Sequence, residues 1–313
     1  MVTSAAVEVQ KPGRERRFSV SVLLSFFAIY FIWGSTYFSI RVLVATVPPL
    51  FAAGVRFLLA GGVLLAWSRL RGTPMPTRRE WRNLLVLGAL MFLAAYGGLF
   101  WAEKTVPSGI ASVLVATIPV WTALFEIFVF KKDRLRISLA AAIVLGLAGV
   151  SILASASGEG GLSLLACLAI LGAEICWSFG TVLSKNMALP RSKVMSAAGQ
   201  MTAGGALLLF FSAVGGEMNP LPRISLQAAF ALAYLIVAGS LVAFTAYTWL
   251  LGRMPATKVA SYAYVNPVVA LAIGYWLGGE PLTVRTLCGA ALILVSVLLL
   301  LKQSGVARTQ GAD

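Results

Sequence analysis

A chain of 313 residues that is 59% hydrophobic and 12% charged, with a mean hydropathy of +0.89, has too little polar surface to coat a soluble globule of its size. Its 25 Lys and Arg against 11 Asp and Glu give a net charge of +14, and there is no histidine. With no HExxH or GxSxG motif and few acids inside apolar runs, the sequence excludes the common hydrolytic and metal chemistries, so neither enzymatic activity, nor a metal, nor a cofactor is expected.

In chain order, the first 19 residues, MVTSAAVEVQKPGRERRFS, are polar and basic and read as a disordered tail. They are not a cleavable signal, because the apolar run behind them is long, ends in Arg41 and is followed by nine more. The ten runs cover 20–40, 50–69, 83–102, 107–130, 137–155, 162–182, 194–214, 227–250, 257–278 and 284–301. Each matches the roughly 20 helical residues that cross a hydrocarbon core. The chain divides into a tail at 1–19, five spans at 20–155, five more at 162–301, and a tail at 302–313.

Charge placement sets the expected orientation. With the N-terminus cytoplasmic, 20 of the 25 Lys and Arg fall in the N-terminal tail, the even-numbered loops and the C-terminal tail. This positive-inside asymmetry puts both termini in the cytoplasm and accounts for the basic charge without a nucleic-acid partner. Cys167, Cys176 and Cys288 lie within spans without CxxC spacing and read as packing residues.

The two groups of five spans are related. VPSGIASVLVATIPV at 106–120 aligns without a gap on MPATKVASYAYVNPV at 254–268, placing Pro107 on Pro255 and Pro119 on Pro267. WGSTYFSIR, from Trp33 to Arg41, lies over WSFGTVLSK, from Trp177 to Lys185. Five is odd, so the second group must enter the membrane from the opposite side, which is the inverted-topology repeat of secondary transporters. A channel is not excluded by residues alone, but an inverted repeat with broken helices favours alternating access.

The matched first and sixth spans expose a shared face. Tyr30, Trp33, Gly34, Tyr37 and Arg41 recur at one-face helical spacing, and Glu174, Trp177, Ser178, Thr181 and Lys185 repeat the pattern. A polar stripe turned to lipid is costly, so both are expected to line one cavity, with Arg41 at its outer mouth and Lys185 at its inner mouth. Packing or membership of the interfacial aromatic belt is the alternative for any single ring. Pro119 and Pro267 each remove a helical hydrogen bond and predict paired kinks. Lys258, Tyr262 and Asn266 form a polar stripe in the ninth span that the fourth lacks, making Tyr262 and Asn266 candidate contacts to a solute.

The remaining ionisable groups read as structural. Glu103 and Lys104 are expected as an exposed loop pair, Arg56 as a tether to a backbone carbonyl, and Glu126 as the partner of Lys131. Glu280 is expected to favour the N-terminus of the last helix.

IWGSTYFSIR (32–41), PPLFAAGVRFLLAGG (48–62), VPSGIASVLVATIP (106–119), SYAYVNPVVA (261–270) and LGGEPL (277–282) resemble the bacterial drug/metabolite transporter superfamily, of the EamA type and similar to its YedA-like exporters. The resemblance implies an all-α integral membrane protein of the bacterial inner membrane, with ten transmembrane helices in two inverted five-helix repeats. It also implies a central cavity built largely from the first, third, fourth, sixth, eighth and ninth helices, where Tyr96, Trp101, Trp121 and Tyr247 join the candidates. Export of amino acids, related small metabolites or drugs follows from the likeness, and an importer or exchanger of the same fold is the alternative. The family pattern usually carries a small residue where this chain has Glu174. Besides the small-molecule substrate, the lipid bilayer is the partner implied; the sequence does not specify an oligomeric state.

Overall fold

The computed structural model describes residues 20–131, 137–155, 163–251, 253, 259 and 262–306, and these are helical with no strand among them. The helices are α1 (Val20–Val44), α2 (Pro49–Leu70), α3 (Arg78–Ala102), α4 (Ser108–Val129), α5 (Ile137–Ser155), α6 (Leu164–Ser184), α7 (Lys193–Val214), α8 (Leu226–Leu251), α9 (Tyr262–Gly278) and α10 (Val284–Val306). Seven of them, α1 to α4 and α6 to α8, are long and apolar enough to cross a membrane. In α5, α9 and α10 the apolar stretches are shorter, at Ala140–Leu153, Val265–Gly278 and Val284–Ser296.

Local chemistry explains where the boundaries differ from the apolar runs. α3 starts at Arg78, ahead of residue 83, because Thr77 and Glu80 close a capping box: Glu80 N donates to Thr77 Oγ1, and Thr77 N to Glu80 Oε2 at 2.7 Å. α10 runs on to Val306, past the 301 boundary, with Lys302 and Gln303 good helix formers and the unfavourable Gly305 only next to its end. Lys258 of the ninth-span stripe, Pro255, and both tails outside 20–306 lie beyond the described residues.

Helix pairing is reciprocal between the two groups of five. α2 packs on α7, α4 on α9 and α5 on α10. α1 packs on α8 and α9, while α6 packs on α3 and α4; the α3–α7 contact is likewise answered by α8–α2. Each of these pairs maps onto itself or onto another of them when five is added to each helix number, whereas α4–α10 and α1–α4 lack a comparable counterpart among the described residues.

Small residues permit the closest of these crossings, as membrane helix interfaces require. A Cβ on Gly61 would sit 2.6 Å from Thr202 N, and one on Gly205 would collide with the backbone at Leu58, so α2 and α7 touch main chain to main chain. Gly205→Leu is therefore expected to abolish recovery of a monodisperse detergent-solubilised protein in size-exclusion chromatography. Gly172→Ala, where an added Cβ meets nothing within 4 Å, should leave it unchanged or slightly more stable.

Several helices are not regular. Wide π-helical turns occupy Ala28–Ile32 in α1, Gly88–Tyr96 in α3, Phe125–Val129 in α4 and Leu235–Val242 in α8. α4 is also interrupted at Ala116 and Thr117, where Pro119 cannot donate back to Val115 and a new helix starts at Ile118. Pro267, in contrast, sits inside a continuous α9, so the two matched prolines do not leave matched breaks.

Candidate functional site

Two groups of buried and half-buried rings meet between the helices. Trp33 of α1, Tyr247 of α8 and Tyr262 of α9 have centroids 5.2, 5.1 and 6.1 Å apart. Tyr96 of α3 stands 5.6 Å from Trp177 of α6 and 4.5 Å from Phe57 of α2, with Phe92 6.4 Å from Trp177. Such tilted and edge-on pairs place polar ring edges against ring faces. Glu174 links the groups, lying within electrostatic reach of the Tyr37, Tyr96 and Tyr262 hydroxyls. It is 4% exposed and takes no hydrogen bond or ion pair among the described residues. A carboxyl bordered by tyrosines and tryptophans can bind a cation or amine through charge, hydroxyl and ring-face contacts together.

Several candidates instead brace the irregular backbone around these rings. Trp33 Nε1 donates to the Gly239 carbonyl at 3.0 Å, within the π turn of α8. Asn266, in the orientation that gives each end of its amide a partner, donates to the Ile29 and Tyr30 carbonyls at 3.1 and 3.0 Å, within the π turn of α1. A π turn displaces carbonyls from their α-helical donors, and these side chains supply replacements. Ser178, fully buried, donates to the Ile118 carbonyl at the α4 break, and Trp121 Nε1 to Thr117 Oγ1 at 3.2 Å. Asn266 and Ser178 are thus occupied by backbone carbonyls, whereas the sequence suggested solute contacts. Tyr30 packs on Phe26 at 5.5 Å. Trp101 lies outside the ring groups: in the last turn of α3 it is 44% exposed, as an interfacial indole would be.

The two ends of α4 carry ion pairs that sequence reasoning assigned otherwise. At its N-terminal end Glu280 accepts from Ser108 N at 2.7 Å and Gly109 N at 3.0 Å, and lies 3.5 Å from Arg41 Nε. It caps α4 and not α10, because Pro107 at the N-cap offers no side-chain acceptor of its own. Glu217 does the same for α2, which also starts behind a proline: it accepts from Phe51 N at 2.9 Å and from Ser212 Oγ at 3.0 Å. Nothing in the sequence pointed to Glu217; the signal was a pair of helices opening on Pro-Pro and Pro-Ser without a Ser, Thr, Asp or Asn cap. At the other end of α4, Glu126 pairs with Lys185 at 2.6 Å, in place of the expected Lys131, which sits at φ 52° in the left-handed turn that ends the helix.

Glu103 is a further correction. It is fully buried, with neither carboxylate oxygen taking a hydrogen bond of ordinary geometry, while its neighbour Lys104 is exposed. Burial, and then the neighbouring Glu280, push its carboxyl well above the usual carboxylate range, against the pull of Arg41 and Arg56. Arg56 is buried too. Its Nε donates to Ser240 Oγ at 3.1 Å and its guanidinium lies over the Phe57 ring at 4.7 Å, so a hydroxyl and ring faces hold it in place of the expected carbonyl.

Comparison with known proteins agrees with this architecture. The chain is 41% identical over 276 residues to the uncharacterized inner membrane transporter YedA of Escherichia coli K12, covering 87% of this chain and 88% of that protein. It is 28% identical to a probable amino-acid metabolite efflux pump of Salmonella typhimurium, over 85% of this chain and 90% of that one. A solved crystal structure with 21% identity shares the fold at a TM-score of 0.62, covering 89% of this chain and 96% of the other. The model of the EamA-like transporter family matches twice, over 20–155 and 164–302, and the chain therefore belongs to that family.

Proposed function

We propose that this membrane transporter is an alternating-access secondary carrier that exports amino acids, related small metabolites or drugs across the bacterial inner membrane. In this reading ten transmembrane helices form two inverted five-helix repeats, with both termini in the cytoplasm. The main support is the position of Glu174, buried among rings from α1 and α3 of one group and α6, α8 and α9 of the other. The reciprocal helix pairing and the double family match fit a two-fold pseudosymmetry. Inter-group ion pairs at the two ends of α4, separated by roughly 25 Å at 1.5 Å per residue, suit a site that opens to one side at a time. Export and the amino-acid class follow the Salmonella relative, while the charge asymmetry supports only the orientation of the termini.

The test is an untargeted comparison of external metabolites in cells with and without the protein, followed by flux of each enriched compound in proteoliposomes. A carrier saturates and shows counterflow, while a pore does neither. Orientation is checked separately: cysteines in SASGEGG (155–161) should react with an impermeant thiol reagent added outside, and cysteines at 72–77 should not. The reverse labelling would invert the direction of transport.

A further inference from the structure

Five buried polar atoms without well-formed hydrogen bonds lie on one side, where α1 and α3 end, α4 begins and α2 is two turns in: Arg41 Nη1, Arg56 Nη1, both Glu103 oxygens and Ser108 Oγ. Buried unsatisfied groups are rare in folded proteins, and several together mark a place with a second arrangement or a task. Glu103 faces Arg41 and Tyr37 from α1, Arg56 from α2 and Glu280 from the segment before α10. Arg41 spends its Nε on Glu280 and has Nη1 to spare. Two carboxyls therefore share the Arg41 guanidinium, with Arg56 a second cation facing Glu103 alone. One of them, Glu280, also clamps α4 to the opposite group of helices.

We propose that Glu103 is a proton-binding site that sets this end of the protein, with Arg41 exchanging between Glu280 when Glu103 is protonated and Glu103 when it is not. The proposal rests on the alternating opening described above. In the arrangement seen here Glu103 is sealed from water, and an ionised carboxylate with only a poorly aligned main-chain N–H of Arg41 for a donor would be costly there. The neutral acid is compatible with that burial and leaves Arg41 to Glu280, which keeps α1 and α4 tied to the α9–α10 segment. Opening this end admits water, returns Glu103 towards ordinary acidity and offers Arg41 a competing anion. The closed form thus holds the extra proton. By linkage it is favoured at low pH and loses that advantage as pH rises through the acidity of the sealed carboxyl.

The experiment uses the full-length protein in nanodiscs, with Cys167, Cys176 and Cys288 replaced and spin labels on Thr105→Cys and Leu282→Cys, both exposed and flanking the Arg41–Glu280 contact. Pulsed dipolar spectroscopy should show the longer-distance population rising at least threefold from pH 5 to pH 9. Glu103→Gln, permanently neutral, should hold the short distance throughout, while Glu103→Asp keeps the response because it still titrates. A pH response that survives in Glu103→Gln, or is absent from the unsubstituted protein, overturns the proposal; the second outcome decides the matter even if the Gln variant does not fold. Labels on Val129→Cys and Ala188→Cys report the other end. If the first pair responds to pH while this pair stays still, the Glu103 site stands and alternating access fails.

Discussion

Glu280→Ala is expected to lower the thermal unfolding midpoint in detergent by about 5 °C, the equivalent of roughly 3 kcal/mol in a chain of this size. The carboxylate accepts two backbone N–H groups at the start of α4 and faces Arg41, so truncation orphans three groups at once. Arg41 is about a third exposed and its share is screened by water; the two charge-assisted bonds to Ser108 and Gly109 carry most of the loss. Glu280→Gln keeps one good acceptor and should lose about half as much. Differential scanning fluorimetry of the two variants provides the check, and a midpoint unchanged in Glu280→Ala would show that α4 does not depend on a cap from outside its own group of five helices.

In transport, Trp33→Ala, Tyr37→Ala and Trp177→Ala should each weaken apparent substrate affinity by roughly 5- to 30-fold at normal expression, from the loss of about 1 to 2 kcal/mol of ring contact. Trp67→Ala is the control: that ring is 47% exposed, stacks only with Arg71 at 5.4 Å, and should cost little. Glu174→Gln preserves shape and should reduce affinity for cationic solutes roughly tenfold or more while sparing neutral ones. Uptake into inverted vesicles across a concentration series measures all five. Equal tolerance at the four ring positions would return these residues to packing roles. A Gln variant that loses only its response to an imposed pH gradient, with counterflow intact, would make Glu174 a proton carrier instead.

What the sequence made legible was whatever repeats with a helical period or matches a local template. The apolar runs and the ring-bearing face of α1 and α6 are of this kind; the caps Thr77, Ser163, Ser192 and Ser225 match local templates too, but the apolar runs alone passed over them. What it concealed depends on distant partners. Glu280 and Glu217 satisfy helix ends from which they are separated by more than 160 residues, and Glu126 finds Lys185 across the bundle and not the lysine five positions on. Glu103 looked like a loop acid because it follows a helix end next to a lysine, and only the packing of α1 and α2 over it shows otherwise. Asn266 and Ser178 stood out as polar residues in apolar helices, but the carbonyls they satisfy exist only because neighbouring helices depart from regular geometry.

The π turns of α1, α3, α4 and α8 bear on how such a protein tolerates change in length. A one-residue insertion in a regular membrane helix rotates everything beyond it by about 100° and turns a cavity face into a lipid face. A π turn already contains that additional residue, stored as a local widening, so the segments on either side keep their own facing. Deleting one residue within Gly88–Tyr96 would let α3 close into a regular helix and swing Trp101 and its neighbours relative to Leu84 and Leu87. Relatives that share the cavity but lack the widening should therefore align with this chain only through single-residue gaps at those four places. Gaps of this kind mark helices that swivel about their own axes over evolutionary time while their partners stay in register.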